Sequence, residues 1–177
     1  MAEKIDLAEY DYQCVVDMLV KLGSQLNRPN YRFLKGDIIA MSLEKATNGR
    51  LEYVDAVGYD SIDQFTGKKY EIKSVSKAFS KDDRVSGKVN LCNTYKMSGT
   101  NFAKTFDYLI CVQTDPSIFA IAEFSWETCD KNKYFMDGQF NLKRGTLVER
   151  WICKDRTEVK NLSEVKLNVK KLLETVL

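Results

Sequence analysis

The chain has 177 residues, 44% of them hydrophobic, with 27 Lys and Arg against 25 Asp and Glu for a formal charge of +2. That is enough for one domain with a real core, and too balanced for net charge alone to announce a nucleic-acid partner. There is no histidine, which excludes His-dependent triads, HNH-type nucleases and histidine zinc sites and leaves any hydrolase to work with carboxylates, lysine or cysteine.

Cys14, Cys92, Cys111, Cys129 and Cys153 show no CxxC spacing, and several lie in apolar runs. They read as reduced core residues of an intracellular protein. A catalytic cysteine would need a base, and a Cys–His pair is ruled out by composition. The opening MAEKIDLAEYDY has no apolar signal core, and no run reaches transmembrane length, so the expectation is a soluble, cytoplasmic protein with no membrane partner.

From Leu7 to Leu26, Val15, Leu19, Leu22 and Leu26 recur at helical spacing. This predicts an amphipathic helix that packs on its own sheet or on a second copy of the chain. Asn27 to Lys35 reads as a loop, after which Asp37 caps a helix running through Ile38, Ile39, Met41, Leu43 and Ala46 to a stop at Asn48-Gly49. Leu51 to Val57 alternates as a strand, with Glu52 and Asp55 as lesser acidic candidates.

Gly58 to Ser76, GYDSIDQFTGKKYEIKSVS, carries the most chemistry. Thr66-Gly67 reads as a hairpin turn, Gly67 taking a positive φ, so that a strand from Tyr59 to Phe65 folds back beside one from Lys69 to Val75. Alternation sends Tyr70, Ile72 and Ser74 to one face and Glu71, Lys73 and Val75 to the other, and Asp60 can lie beside Glu71. Two neighbouring carboxylates repel unless a cation sits between them. A hard divalent ion with oxygen ligands answers that, magnesium first, with manganese as its substitute and no organic cofactor. Lys73 can orient a water, assist its deprotonation or stabilise charge on phosphorus, which points to metal-assisted phosphodiester hydrolysis. The bare Glu-x-Lys triplet is common, recurring at Glu158 and Glu164. A plain ribbon with a surface Glu and Lys opposite an ordinary Asp accounts for the same residues.

From Lys77 to Lys104 cations outnumber acids and are interleaved with Ser, Thr and Asn. Lys77, Lys81, Arg84, Lys88, Lys96 and Lys104 suit phosphates; Asn90, Asn93, Thr94, Ser98 and Asn101 suit base edges. This is the expected DNA-contacting segment, the alternative being a surface loop with excess charge. Phe106 to Gln113 and Ile118 to Phe124 are apolar strands around a turn at Thr114-Asp115-Pro116-Ser117. Their low charge predicts a sheet covered on both faces by helices. Ser125 caps a short helix containing Trp126, Asp137-Gly138 makes a hairpin turn, and Thr146 to Cys153 alternates as a strand, with Lys143, Arg144 and Arg150 adding cationic reach. A closing helix is predicted from Ser163 to Leu177.

Gly58-Tyr59-Asp60-Ser61-Ile62-Asp63, then Gly67, then Tyr70-Glu71-Ile72-Lys73-Ser74, resembles the active-site hairpin of the PD-(D/E)xK nucleases, and most of all that of the PvuII-type restriction endonucleases. The likeness covers this hairpin; beyond it only the order of elements is similar. It implies metal binding by Asp60, Glu71 and the Ile72 carbonyl, with Lys73 as the catalytic lysine. Glu44, on the helix before the first catalytic strand, is the runner-up metal ligand. Tyr59 replaces the family's usual proline, and Val57 the extra acid of the PvuII group. The implied fold is α/β, a restriction-endonuclease-like mixed β-sheet flanked by helices in a single domain over residues 1–177. The implied activity is magnesium-dependent endonucleolytic cleavage of double-stranded DNA as a type II restriction enzyme. Two cuts and a palindromic site suit a homodimer. A structure-specific, nicking or junction-resolving nuclease, and a non-catalytic nucleic-acid-binding module, are the alternatives. An RNA-cleaving viral nuclease ranks below them because its metal-binding histidine is missing.

Overall fold

The computed structural model describes residues 31–75, 78–93, 102–115 and 118–155. Two helices and nine strands are present among them: α1 (Tyr31–Ala46), β1 (Leu51–Ala56), β2 (Tyr59–Asp63), β3 (Lys69–Val75), β4 (Val89–Asn93), β5 (Tyr108–Asp115), β6 (Ile118–Ser125), α2 (Trp126–Lys131), β7 (Lys133–Met136), β8 (Gln139–Leu142) and β9 (Arg150–Asp155). The helices expected at Leu7 to Leu26 and Ser163 to Leu177 lie outside the described residues. No helix among the described residues is long and apolar enough to cross a membrane.

Six strands form a mixed sheet in the order β1-β2-β3-β5-β6-β9. Only the β3–β5 contact is parallel, and its long connection lets the chain add β4 to a separate three-stranded sheet, β4-β8-β7. Alternation along β5 divides the core. Ile110 and Val112 join Tyr70 and Ile72 beneath Ile39, Ala40 and Leu43 of α1, the two-faced pattern of a strand meeting the stripe of a helix. Leu109 and Cys111 point the other way, toward Val89 and Leu91 of β4 and Phe140 and Leu142 of β8.

The main sheet is therefore covered on both faces within one mixed α/β domain. On the second face, however, a small sheet, rather than a helix alone, supplies most of the cover. Low charge in β5 and β6 signals two-sided burial without saying what buries them. Leu43 is fully buried, so Leu43→Ala removes roughly 2–5 kcal/mol.

Several boundaries move. α1 already runs through 31–35, so that part of the expected loop is helical, while 27–30 lie outside the described residues. Asp37 sits inside the helix and does not cap it; its carboxylate accepts a hydrogen bond from the Tyr53 hydroxyl at 3.1 Å. The stop is where the sequence puts it, with Asn48 and Gly49 at φ 51° and 77° and the Gly49 amide donating to the Glu44 carbonyl at 2.9 Å. β1 ends at Ala56, one residue before Val57. β5 begins at Tyr108 and not at Phe106, and keeps Thr114 and Asp115 that read as turn. Ser125 caps α2, its hydroxyl accepting from the Thr128 amide at 3.2 Å. Asp137 and Gly138, at φ 53° and 70°, turn β7 into β8. β9 starts at Arg150, later than expected, because the stretch before it pairs with the loop at Arg84 through the Arg84–Leu147 bridge.

Candidate active site

The β2–β3 hairpin forms as its sequence predicts. Ser61 pairs with Tyr70 and Ile62 with Lys69, Gly67 takes φ 69°, and the Gly67 amide donates to the Asp63 carbonyl at 2.8 Å. The strand stops at Asp63, two residues before Phe65, because Asp63 turns its side chain to the loop. Its carboxylate accepts from the Phe65 amide at 2.9 Å and from Arg50 Nε and Nη2 at 3.1 and 3.0 Å. Burial works to raise the Asp63 pKa, but the Arg50 hydrogen bond and the turn's donors outweigh it and hold the carboxyl below its ordinary value. At the other end Gly58 has φ 91° and lies against Thr105, whose Cβ is 2.6 Å from where a side chain would begin. Asp107 accepts from the Lys69 amide at 3.0 Å and pairs with Lys104 Nζ at 3.0 Å. The hairpin is thus pinned at both ends.

One step beyond Ser61–Tyr70, the same register sets Asp60 across from Glu71. The backbone pairing of β2 and β3 extends no further than Ser61, and there the Asp60 carboxylate takes over, accepting from the Ile72 amide at 2.6 Å. A strand residue's N–H and C=O leave on the same edge, so the Ile72 carbonyl is turned toward β2 as well. Glu71, only 6% exposed, forms an ion pair with Lys73, whose side chain is 30% exposed. Burial works to lower the Lys73 pKa, but the charges of Glu71 and then Asp60 more than offset it and hold the ammonium above the ordinary lysine value.

Asp60, Glu71 and Lys73 are therefore brought together, on the face of the main sheet that carries Cys111. Burial pushes the Cys111 thiol up to about 12 and that of Cys129 higher still, which keeps both protonated and out of nucleophilic roles.

Two carboxylates and a main-chain carbonyl are hard oxygen donors, a set that fits magnesium retaining several waters. Among the described residues no group of three or more His, Cys, Asp and Glu stands close enough to hold a metal. Glu44 lies on α1, whose Ile39, Ala40 and Leu43 pack against Tyr70 and Ile72, and its backbone carbonyl accepts from Thr47 Oγ1 at 3.0 Å. Glu52 is exposed and accepts from the Gln64 amide.

Of the expected DNA-contacting residues, Lys81, Arg84, Lys88 and Lys104 are exposed and Asn90 is half-exposed on β4. Asn93 ends that strand, and Lys77, Lys96 and Asn101 lie outside the described residues. The segment is no loose loop where it is described, because Ala78, Val85, Val89 and Leu91 anchor it in the core. Arg150 does not reach outward: its Nε and Nη2 clasp Glu123 at 3.0 and 2.8 Å.

Sequence reasoning missed the two acids that pin the hairpin. Asp63 had a local signal in Asp-Gln-Phe-Thr-Gly, where a short carboxylate can bond its own turn. Asp107 had none, since its partner Lys69 is 38 residues away. A scan against protein-family models found no match, and a search of curated proteins found none either.

Proposed function

We propose that this protein is a magnesium-dependent endonuclease that hydrolyses phosphodiester bonds of double-stranded DNA, acting as a homodimeric site-specific restriction enzyme. The observation that carries the reading is the convergence of Asp60, Glu71 and Lys73 at the point where β2 and β3 part, both acids bearing on one ammonium. The sequence resemblance of the same hairpin to PD-(D/E)xK nucleases supports it, as does the basic, core-anchored segment that follows.

Asp60, Glu71 and the Ile72 carbonyl would hold the metal, which when bound supplies Lewis-acid neutralisation of the phosphate's charge. Lys73 then has a defined task. Its ammonium, held by Glu71, would orient the attacking water or donate to a phosphate oxygen as negative charge builds on the phosphoryl oxygens. Asp60 fixes the edge of β3 by accepting the Ile72 amide, so the carboxylate that would bind the metal also anchors the strand.

The test is digestion of unmodified phage DNA with and without magnesium, read on a gel. Discrete bands that need magnesium are expected. Intact DNA under all conditions overturns the reading, and cleavage of branched but not linear duplex moves it to a junction-resolving enzyme.

A further inference from the structure

The loop 80–88 and the turn 143–147 are far apart in sequence and joined in space. The Val85 amide donates to the Thr146 carbonyl at 2.8 Å, the Gly145 amide to the Val85 carbonyl at 2.7 Å and the Val148 amide to the Asp83 carbonyl at 2.8 Å. Arg84 Nη1 adds a bond to the Gly145 carbonyl at 2.8 Å. The turn is itself fixed: Gly145 has φ 83°, and Thr146 Oγ1 donates back to the Lys143 carbonyl at 2.7 Å.

Arg84 and Lys88 on the loop and Lys143 and Arg144 on the turn are all exposed, and none of them has a carboxylate partner among the described residues. Lys154, by contrast, is paired with Asp83 of the loop itself. Four cations left without counter-ions on a rigid two-loop platform are unfavourable in isolation and complementary to a polyanion.

Their position relative to the catalytic cluster narrows the polyanion. Lys73, Cys111, Ala122 and Trp151 form one cross-strand row, and Trp151 packs edge-on against Phe79 at the root of the loop, ring centroids 5.1 Å apart. Three strand spacings, about 15 Å, separate Lys73 from Trp151. Phe79 spans the strands between, its ring stacking on Phe124 with centroids 6.3 Å apart and its amide donating to Gln113 Oε1 at 3.2 Å, so the root of the loop lies within that distance of Lys73. The major groove of a duplex is about 12 Å wide, so phosphates on its two sides are spaced on that scale.

We propose that loop 80–88 and turn 143–147 form one phosphate-binding platform for a DNA duplex, engaging the strand across the groove from a phosphate held at Lys73; this rests on the nuclease reading above. Arg84 and Lys88 belong to the segment expected to touch DNA; Lys143 and Arg144, read from the sequence as added cationic reach, are brought beside it by the fold.

The experiment measures binding of a labelled duplex without metal, over a series of salt concentrations, for the wild type, Lys143→Ala/Arg144→Ala, Arg84→Ala/Lys88→Ala and, as a control on α1, Lys45→Ala. Each double variant is expected to weaken binding about tenfold or more and to reduce the slope of log K against log salt by about 1.8, near 0.9 per phosphate contact; Lys45→Ala leaves the slope unchanged. A normal slope for Lys143→Ala/Arg144→Ala, in protein whose melting temperature is unchanged, overturns the platform even if magnesium-dependent cleavage is present. Where binding follows the expected slopes but magnesium never yields cleavage, the platform stands and the nuclease reading falls. A wild type that binds no duplex sinks both.

Discussion

Two of the places where the main sheet buries acid and cation together have opposite outcomes. At the β6–β9 edge, Glu123 is 3% exposed and is clasped by both nitrogens of the Arg150 fork, so one negative and one positive charge close on each other. At the β2–β3 junction two carboxylates, Asp60 and Glu71, face the single ammonium of Lys73. With all groups ionised that cluster carries a net charge of −1 and has an outlet to solvent. Burial of charge is common to both and marks neither as a site. The difference lies in balance: the closed pair neutralises itself between two strands, whereas the open cluster keeps an uncompensated negative charge, which under the proposed function would be met by a metal cation that in turn holds a phosphate.

The largest effect that separates the two regions is on chemistry. Asp60→Asn keeps the side chain's shape and an acceptor for the Ile72 amide while removing a charge. It should lower the DNA cleavage rate by roughly 10²–10⁴-fold and leave the melting temperature near that of the wild type. Lys73→Ala should match that loss and also destabilise, since it strips Glu71 of its ammonium. Either variant cutting plasmid at the wild-type rate would reduce the junction to an ordinary ribbon.

At the other edge the expected loss is in stability alone. Arg150→Ala leaves Glu123 buried without its partner and should cost about 3–5 kcal/mol, whereas Glu123→Leu with Arg150→Leu should be close to neutral. Urea unfolding gives both numbers, and a double variant as unstable as the single one would mean that the pair does more than neutralise itself.

The same contrast explains what could be read from the residues. The hairpin was legible because its information is local: alternation in Tyr70 to Val75, a glycine at the turn and an acid one strand back suffice to bring Asp60, Glu71 and Lys73 together. Glu123 and Arg150 are 27 residues apart, and nothing in either neighbourhood announces the other, so Arg150 read as a surface cation. The second sheet was hidden for a related reason. Val89 and Leu91 of β4 meet Phe140 and Leu142 of β8 across a stretch of chain that includes β5, β6, α2 and β7, so no local pattern links them. The short helix at Trp126 and the Asp137-Gly138 turn, each encoded in a few adjacent residues, lie where the sequence places them.

Magnesium should discriminate the two regions at intermediate size. A cation binding the folded cluster raises stability by about 2.7 kcal/mol when present at a hundred times its dissociation constant. The wild type and Arg150→Lys should both gain, whereas Asp60→Asn with Glu71→Gln should not. Equal gains in all three, by thermal melting with magnesium against equal ionic strength of potassium, would detach the metal from Asp60 and Glu71.

The smallest effect compares two closed pairs, Arg50–Asp63 and Arg150–Glu123, both two-pronged but oppositely shifted. At Asp63 burial raises the pKa, yet Arg50, the Phe65 amide and the Thr66 hydroxyl outweigh it and bring the carboxyl below its ordinary value. At Glu123 burial prevails over Arg150, with Glu149 adding repulsion, and the carboxyl rises above its own. A depressed folded pKa means that Asp63 contributes stability above its unfolded value and loses it as pH falls through the folded one. A raised folded pKa gives the reverse for Glu123: its contribution is full below the unfolded value and fades as pH rises through the folded one. Asp63→Asn should therefore flatten the acid limb of stability against pH, and Glu123→Gln the fall on the ascending side, each by less than Arg150→Ala costs. Unfolding in urea across pH 2–7 resolves the two signs, and parallel curves for both variants would mean that the turn's extra donors at Asp63 do not distinguish it from Glu123.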